Sequence, residues 1–107
     1  MTSKIFMAAS RDDGATWEAE REAFGTGACP CCQLTSTIGS DGELYLGGRV
    51  VHEGNQRDPV VAVSTDGARS FAGRVTVSGP PWVLEGCPLK PTALAARGKD
   101  LYAAVFN

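Results

Sequence analysis

The reactive chemistry of this chain is concentrated in four cysteines. Cys29, Cys31 and Cys32 are nearly adjacent, and Cys87 stands apart. Four cysteines permit two disulfides in three connectivities. They equally permit a thiolate site for a soft metal such as zinc or copper(I), or free, reactive thiols. Cys-Pro-Cys-Cys with a distant fourth cysteine is not the paired Cys-x-x-Cys of a structural zinc site, and His52 is the one histidine. In an extended segment, residues two apart share a side. Cys29 and Cys31 are therefore expected to face one way and Cys32 the other. A vicinal Cys31–Cys32 bridge is strained and the least favoured pairing. Arg57 and Asp58 read as a surface ion pair that orders its loop. His52, with only Glu53 as a neighbouring carboxylate, reads as a solvated loop histidine.

What must position these groups is a β-structure. Thirteen glycines and six prolines punctuate short apolar runs among the 107 residues, a pattern of many strands rather than long helices. The formal net charge of −2 offers no basic field for nucleic acid and no polybasic segment for a membrane surface. No apolar run approaches the roughly 18 residues of a membrane span. Residues 1–7 carry one lysine and no long apolar stretch, so they do not read as a secretory signal.

Strands are expected at residues 4–10, from Trp17 onward, and at 32–39, 43–51, 59–64, 74–78, 92–96 and 101–106. Turns are expected at Asp12-Asp13-Gly14, Asp41-Gly42, Asp66-Gly67 and Gly98-Lys99-Asp100, where Asp and Gly tolerate positive φ. Val60 to Val63 form a nearly continuous apolar stretch, as expected of a strand covered on both faces. Pro80-Pro81 end the strand before them, because proline cannot donate to a ladder.

Two internal repeats set the architecture. The octad from Ser10 to Trp17 (SRDDGATW) returns 54 positions later as Ser64 to Phe71 (STDGARSF). Cys29-Pro30 returns as Cys87-Pro88, and Leu44-Tyr45 as Leu101-Tyr102, at offsets of 58 and 57. A four-stranded unit of roughly 50 residues is the size of one propeller blade.

The octad resembles the Asp-box, S-x-D-x-G-x-T-W. Ser10, Asp12, Gly14, Thr16 and Trp17 fit every fixed position. The second copy keeps Ser64 and Asp66, but has Ala68 for Gly, Ser70 for Thr and Phe71 for Trp. Cys29-Pro30-Cys31-Cys32, Arg57-Asp58 before the second box, and Trp82 followed by Gly86-Cys87-Pro88 extend the likeness over nearly the whole chain. The pattern resembles bacterial sialidase-like BNR-repeat proteins. The resemblance implies an all-β, partial β-propeller of four-stranded antiparallel blades: a half blade at 1–28, a full blade at 29–80 and a half blade at 81–107. It places each Asp-box at the hairpin between a blade's third and fourth strands, its Asp bonding the turn and its aromatic ring packed between sheets. Asp12 and Asp66 are then structural, not catalytic. A repeat array buries its core only against neighbours. The chain is thus expected to be continued by further blades, or less favourably to assemble from copies.

In such a blade the Asp-box turns and the Asp41-Gly42 turn share one rim. The opposite rim receives residues 25–32, 52–58 and 79–88, gathering the four cysteines, His52, Arg57, Asp58 and Trp82. Sialidase-like enzymes bind sugar at that rim. The resemblance therefore implies an exo-acting glycoside hydrolase, secreted or periplasmic, without a cofactor. Arg49 and Arg57 become candidates to grip a substrate carboxylate, because guanidinium pairs with it bidentately. Asp58 becomes a candidate acid, and Trp82 a sugar platform or a plug on the blade. Such enzymes also need a Tyr–Glu pair, and Tyr45 and Tyr102 lie within strands, where packing is expected. No complete catalytic set is present in this chain. The rival expectations are a non-catalytic propeller that binds carbohydrate or protein, and a cysteine-rich metal-binding propeller using Cys29, Cys31 and Cys87. A disulfide joining Cys87 to the cluster would staple neighbouring blades.

Overall fold

A computed structural model describes residues 3–77, 79 and 82–106. The strand end expected at Ser78, the stop at Pro80-Pro81 and the last residue of the third predicted unit, Asn107, lie outside these residues. The described chain is all-β. Strands β1 (Phe6–Met7) and β2 (Arg21–Glu22) form one antiparallel pair. β3 (Thr35–Ile38), β4 (Leu44–Val51), β5 (Arg57–Ser64) and β6 (Val75–Thr76) form a four-stranded antiparallel meander in chain order. β7 (Ala93–Arg97) and β8 (Asp100–Ala104) form a hairpin. None of the three sheets is closed, and a 3-10 turn at Glu53–Asn55 is the one helical element among the described residues.

Local chemistry explains the meander. Gly42 adopts φ 84°, which a side chain would resist, and the Gly39 N–H donates to the Glu43 carbonyl at 2.8 Å to close the turn between β3 and β4. The apolar run 60–63 lies in β5, between β4 and β6, and nearly every residue of β5 is buried. β3 alternates exposed and half-buried positions, as an edge strand with one covered face should. The strand expected at 4–10 shrinks to two residues, because only Phe6 and Met7 find ladder partners in β2.

Ala23, Phe24, Leu46, Val50, Val60 and Ala62 form the core, with Ile5, Met7 and Phe71 packed on it. This cluster joins the β1–β2 pair to the central strands of the meander. Gly48 makes the close approach possible: a Cβ there would stand 2.7 Å from the Phe24 ring and 3.1 Å from Leu34.

The two octads fold into the same hydrogen-bonded turn. In the first, Ser10 Oγ donates to Asp12 Oδ1 (2.8 Å) and accepts from the Gly14 N–H (2.8 Å). The Thr16 N–H donates to Asp12 Oδ1 (2.9 Å), and its hydroxyl to Oδ2 (2.5 Å). In the second, Ser64 Oγ donates to Asp66 Oδ1 (2.8 Å) and accepts from the Ala68 N–H (2.9 Å). The Ser70 N–H donates to Asp66 Oδ1 (2.9 Å), and its hydroxyl to Oδ2. Arg11 reaches from the first turn to the Gly67 carbonyl of the second, so the two sit side by side.

Each turn needs two consecutive positive φ values: Asp13 and Gly14 in one, Gly67 and Ala68 in the other. The second turn has its glycine one place early, which leaves Ala68 at φ 66°. A left-handed residue with a Cβ costs about 1 kcal/mol relative to glycine. Ala68→Gly is therefore expected to raise the unfolding free energy by about 1 kcal/mol in urea titrations, whereas Gly67→Ala should lower it.

These turns also set an acid limit. The Thr16 hydroxyl, then the Thr16 N–H and the Ser10 hydroxyl, lower Asp12 from its ordinary 3.8 to about 2. The Ser70 hydroxyl and N–H, with the Ser64 hydroxyl, hold Asp66 lower still. Carboxylates depressed by folding contribute stability above their unfolded pKa and lose it as pH falls through the folded one. The thermal midpoint should therefore be insensitive to both groups above pH 4, then fall between about pH 4 and 2. Asp12→Asn should flatten part of that slope, and an unchanged acid profile would contradict the assignment.

The aromatic residues that follow the turns differ. Phe71 packs on the core, but Trp17 is 63 % exposed, contrary to the expectation of a ring packed between sheets. Phe71 packs against the core cluster shared with the β1–β2 pair; Trp17 lies in the connection between β1 and β2, with no further sheet beyond that pair among the described residues. Tyr45 is half-buried, but Tyr102, also expected to pack, is 58 % exposed, because the β7–β8 hairpin has no third strand among the described residues.

Candidate functional site

Two irregular segments flank the end of the meander away from the Asp-box turns. The first lies beside β4: Ala28 bridges to Val50, the Val51 N–H donates to Gly27 O (2.7 Å), and the Cys29 N–H donates to Arg49 O (2.9 Å). The second lies beside β5: the Arg57 N–H donates to Trp82 O (2.8 Å), and the Leu84 N–H to Asn55 O (3.1 Å). Together they bring Cys29, Cys31 and Cys32 against Cys87.

Cys31 and Cys87 form a disulfide across 56 residues of chain. Cys29 is a buried free thiol and Cys32 a half-buried one. Cys29 and Cys31 do lie near each other, at 3.8 Å between sulfurs, but Cys32 is not turned away. Its sulfur stands 2.7 Å from that of Cys29 and 3.7 Å from that of Cys87. The segment is not extended there: the Cys32 N–H turns back toward the Cys29 carbonyl (3.4 Å), which aims all four sulfurs at one point. Burial, then the hydrogen bond with Cys29, pushes the Cys32 thiol up to about 11. It is protonated at neutral pH and is a poor nucleophile in this state.

Arg57 and Asp58 are both buried and do not form the expected surface ion pair. Successive side chains of a strand point to opposite faces, and β5 begins at Arg57. Arg57 donates through Nε to Leu84 O (2.8 Å) and lies with Nη1 3.6 Å from Cys29 Sγ. Asp58 accepts from Gln56 (3.1 Å) and pairs with His52 Nε2 (3.0 Å). His52 is thus partnered rather than simply solvated. The 3-10 turn, closed by the His52 N–H on Gln56 O (2.7 Å), reverses the chain and returns His52 to a carboxylate six residues away.

Arg49 is buried, donates to Phe106 O and lies over the Trp82 ring at 5.1 Å. Burial is the main influence lowering its pKa, and nearby Cys32, Cys29 and Asp58 oppose it. Trp82 meets Phe106 edge-on at 5.8 Å. Trp82 is half-buried and packs under Arg49.

At the Asp-box end, a cleft of about 280 Å³ opens between Met7, Ser10, Arg11, Ile38, Leu44 and Gly67. No carboxylate lines it. Among the described residues no helix is long and apolar enough to cross a membrane. Three features are not legible in the sequence: the His52–Asp58 pair, and the main-chain carbonyls of Leu84 and Phe106 that receive the arginines. The only signal for the first is an acid placed just beyond a Glu-Gly-Asn turn. The comparisons with protein families, with curated proteins and with solved structures found no match for this chain.

Proposed function

We propose that the chain is about two blades' worth of an Asp-box β-propeller from a sialidase-like BNR-repeat protein, in which it acts as a braced scaffold for a carbohydrate-binding rim. The observation that carries this reading is the pair of alike-bonded turns 54 residues apart, one joining β1 to β2 and the other joining β5 to β6 of the antiparallel four-stranded meander. Exposed Trp17 fits a ring in which another blade covers it. The cysteine bridge favours an oxidising compartment, which supports a secreted or periplasmic protein.

Hydrolysis of a terminal glycosidic bond, the activity associated with this class of ring, is not assigned to these residues themselves. Arg49 and Arg57 are committed to main-chain carbonyls, and Asp58 to His52 and Gln56. Catalytic groups would have to come from other blades. The purified chain is accordingly expected to release no fluorophore from a fluorogenic sialoside above the buffer rate. Turnover by this chain that disappears on Arg57→Lys would overturn the scaffold reading. An experimental structure in which the two Asp-box turns do not superpose would overturn the propeller.

A further inference from the structure

The sulfurs of Cys29, Cys31, Cys32 and Cys87 all lie within 4.8 Å of one another. A tetrahedral zinc ion holds thiolates at about 2.3 Å, which makes each sulfur–sulfur edge about 3.8 Å. Three edges of the cluster already have that length: Cys29–Cys31 at 3.8 Å, Cys29–Cys87 at 3.9 Å and Cys32–Cys87 at 3.7 Å. The bonded Cys31–Cys87 pair and the Cys29–Cys32 contact at 2.7 Å are shorter. We infer that, once the Cys31–Cys87 bond is reduced, the four cysteines form a tetrathiolate site for zinc, or a divalent cation of similar thiophilicity, with Cys32 as the fourth ligand. The inference is independent of the propeller reading.

Charge supports it as well as distance. A zinc tetrathiolate carries two negative charges. Arg57 is buried with a guanidinium nitrogen 3.6 Å from Cys29 Sγ, and among the described residues it makes no ion pair with a carboxylate. Arg49, also buried, lies within electrostatic reach of Cys32 and Cys29 as well as of Asp58. The buried Arg57 guanidinium beside these sulfurs is matched to an anionic cluster.

The chemistry balances simply. A dithiol reductant transfers two electrons and two protons to the Cys31–Cys87 bond and itself becomes a disulfide. The four resulting thiols then lose four protons as they bind one divalent ion. Oxidation by a small-molecule disulfide reverses both steps and releases the metal. The site would thus be filled in a reducing environment and emptied in an oxidising one.

The test is a Co²⁺ titration of the chain reduced with a phosphine, followed by thiolate-to-cobalt charge-transfer absorption and the d–d bands of a tetrahedral all-sulfur field. One equivalent per chain is expected, displaced by Zn²⁺, with no such spectrum from the oxidised chain. Cys32→Ser and Cys29→Ser keep the Cys31–Cys87 bond for purification, and each should weaken reduced-state Co²⁺ binding by more than about tenfold, since even supporting residues around a metal cost that much. If reduction unfolds the chain, Co²⁺ should restore both the strand circular dichroism and the tetrathiolate spectrum, as coupled folding requires. Absence of the tetrathiolate spectrum from the reduced chain, folded or unfolded, would overturn the proposal. So would a Cys32→Ser variant that binds as tightly as the parent.

Discussion

Replacing Cys31 and Cys87 together by serine is expected to lower the unfolding free energy of the oxidised chain by about 4 kcal/mol. The bridge closes a loop of 56 residues, between the 15-residue and 100-residue loops for which chain entropy predicts about 3 and 4.7 kcal/mol. That loop contains the whole four-stranded meander, so the cross-link restrains the unfolded chain across its largest sheet. Single domains are stable by about 5–15 kcal/mol, so the loss is a large share of the total. Urea titrations of oxidised parent and double variant measure it. Cys29→Ser with Cys32→Ser is the matched control, because it removes two sulfurs from the same cluster and leaves the bond. A double variant within about 1 kcal/mol of the parent would show that the bond is not formed in solution or spans a region that stays compact when unfolded.

Phe24→Ala is expected to cost about 3–5 kcal/mol. Phe24 is 2 % exposed, follows β2, and rests on Gly48 in the middle of β4, with Val50, Val60 and Ala62 around it. It is the largest fully buried side chain and joins the β1–β2 pair to the meander. Its loss removes the transfer energy of the ring and leaves a cavity that two stiff strands cannot collapse into. Gly48→Ala with Phe24→Ala should be less damaging than the sum of the two single changes, because the methyl group enters the space the ring vacates. A thermal and urea series on the four proteins reads this coupling directly.

Much of the β-architecture is legible in the sequence. Asp41-Gly42 and Gly98-Lys99-Asp100 mark hairpins because their chemistry is local: a positive φ and a short reversal. The run at 60–63 announces an inner strand because strand burial is written in consecutive apolar residues. Tertiary context is not legible. Trp17 and Phe71 follow near-identical octads, yet one is exposed and one packed, because what covers a ring is decided by the neighbouring sheet. The arginine–aspartate pair at 57–58 misleads for a related reason. As loop residues they would pair; as the first residues of a strand they part to opposite faces, Arg57 reaching Leu84 far along the chain and Asp58 turning back to His52. The gathering of cysteines at one end is visible from the offsets of the repeats. The position of Cys32 is not, since a single turn in the Cys-Pro-Cys-Cys segment reverses the alternation an extended chain would impose.

The two tryptophans give the molecule a built-in pair of optical reporters. The indole of Trp17 stands in water beside the Asp-box turn, whereas that of Trp82 is half-buried against Arg49 and Phe106. Emission from Trp17 should be red-shifted and quenched readily by acrylamide, and emission from Trp82 bluer and shielded. The composite spectrum therefore carries one signal from each end of the meander, so fraying at the turn end and loosening at the sulfur end can be timed separately in one unlabelled sample.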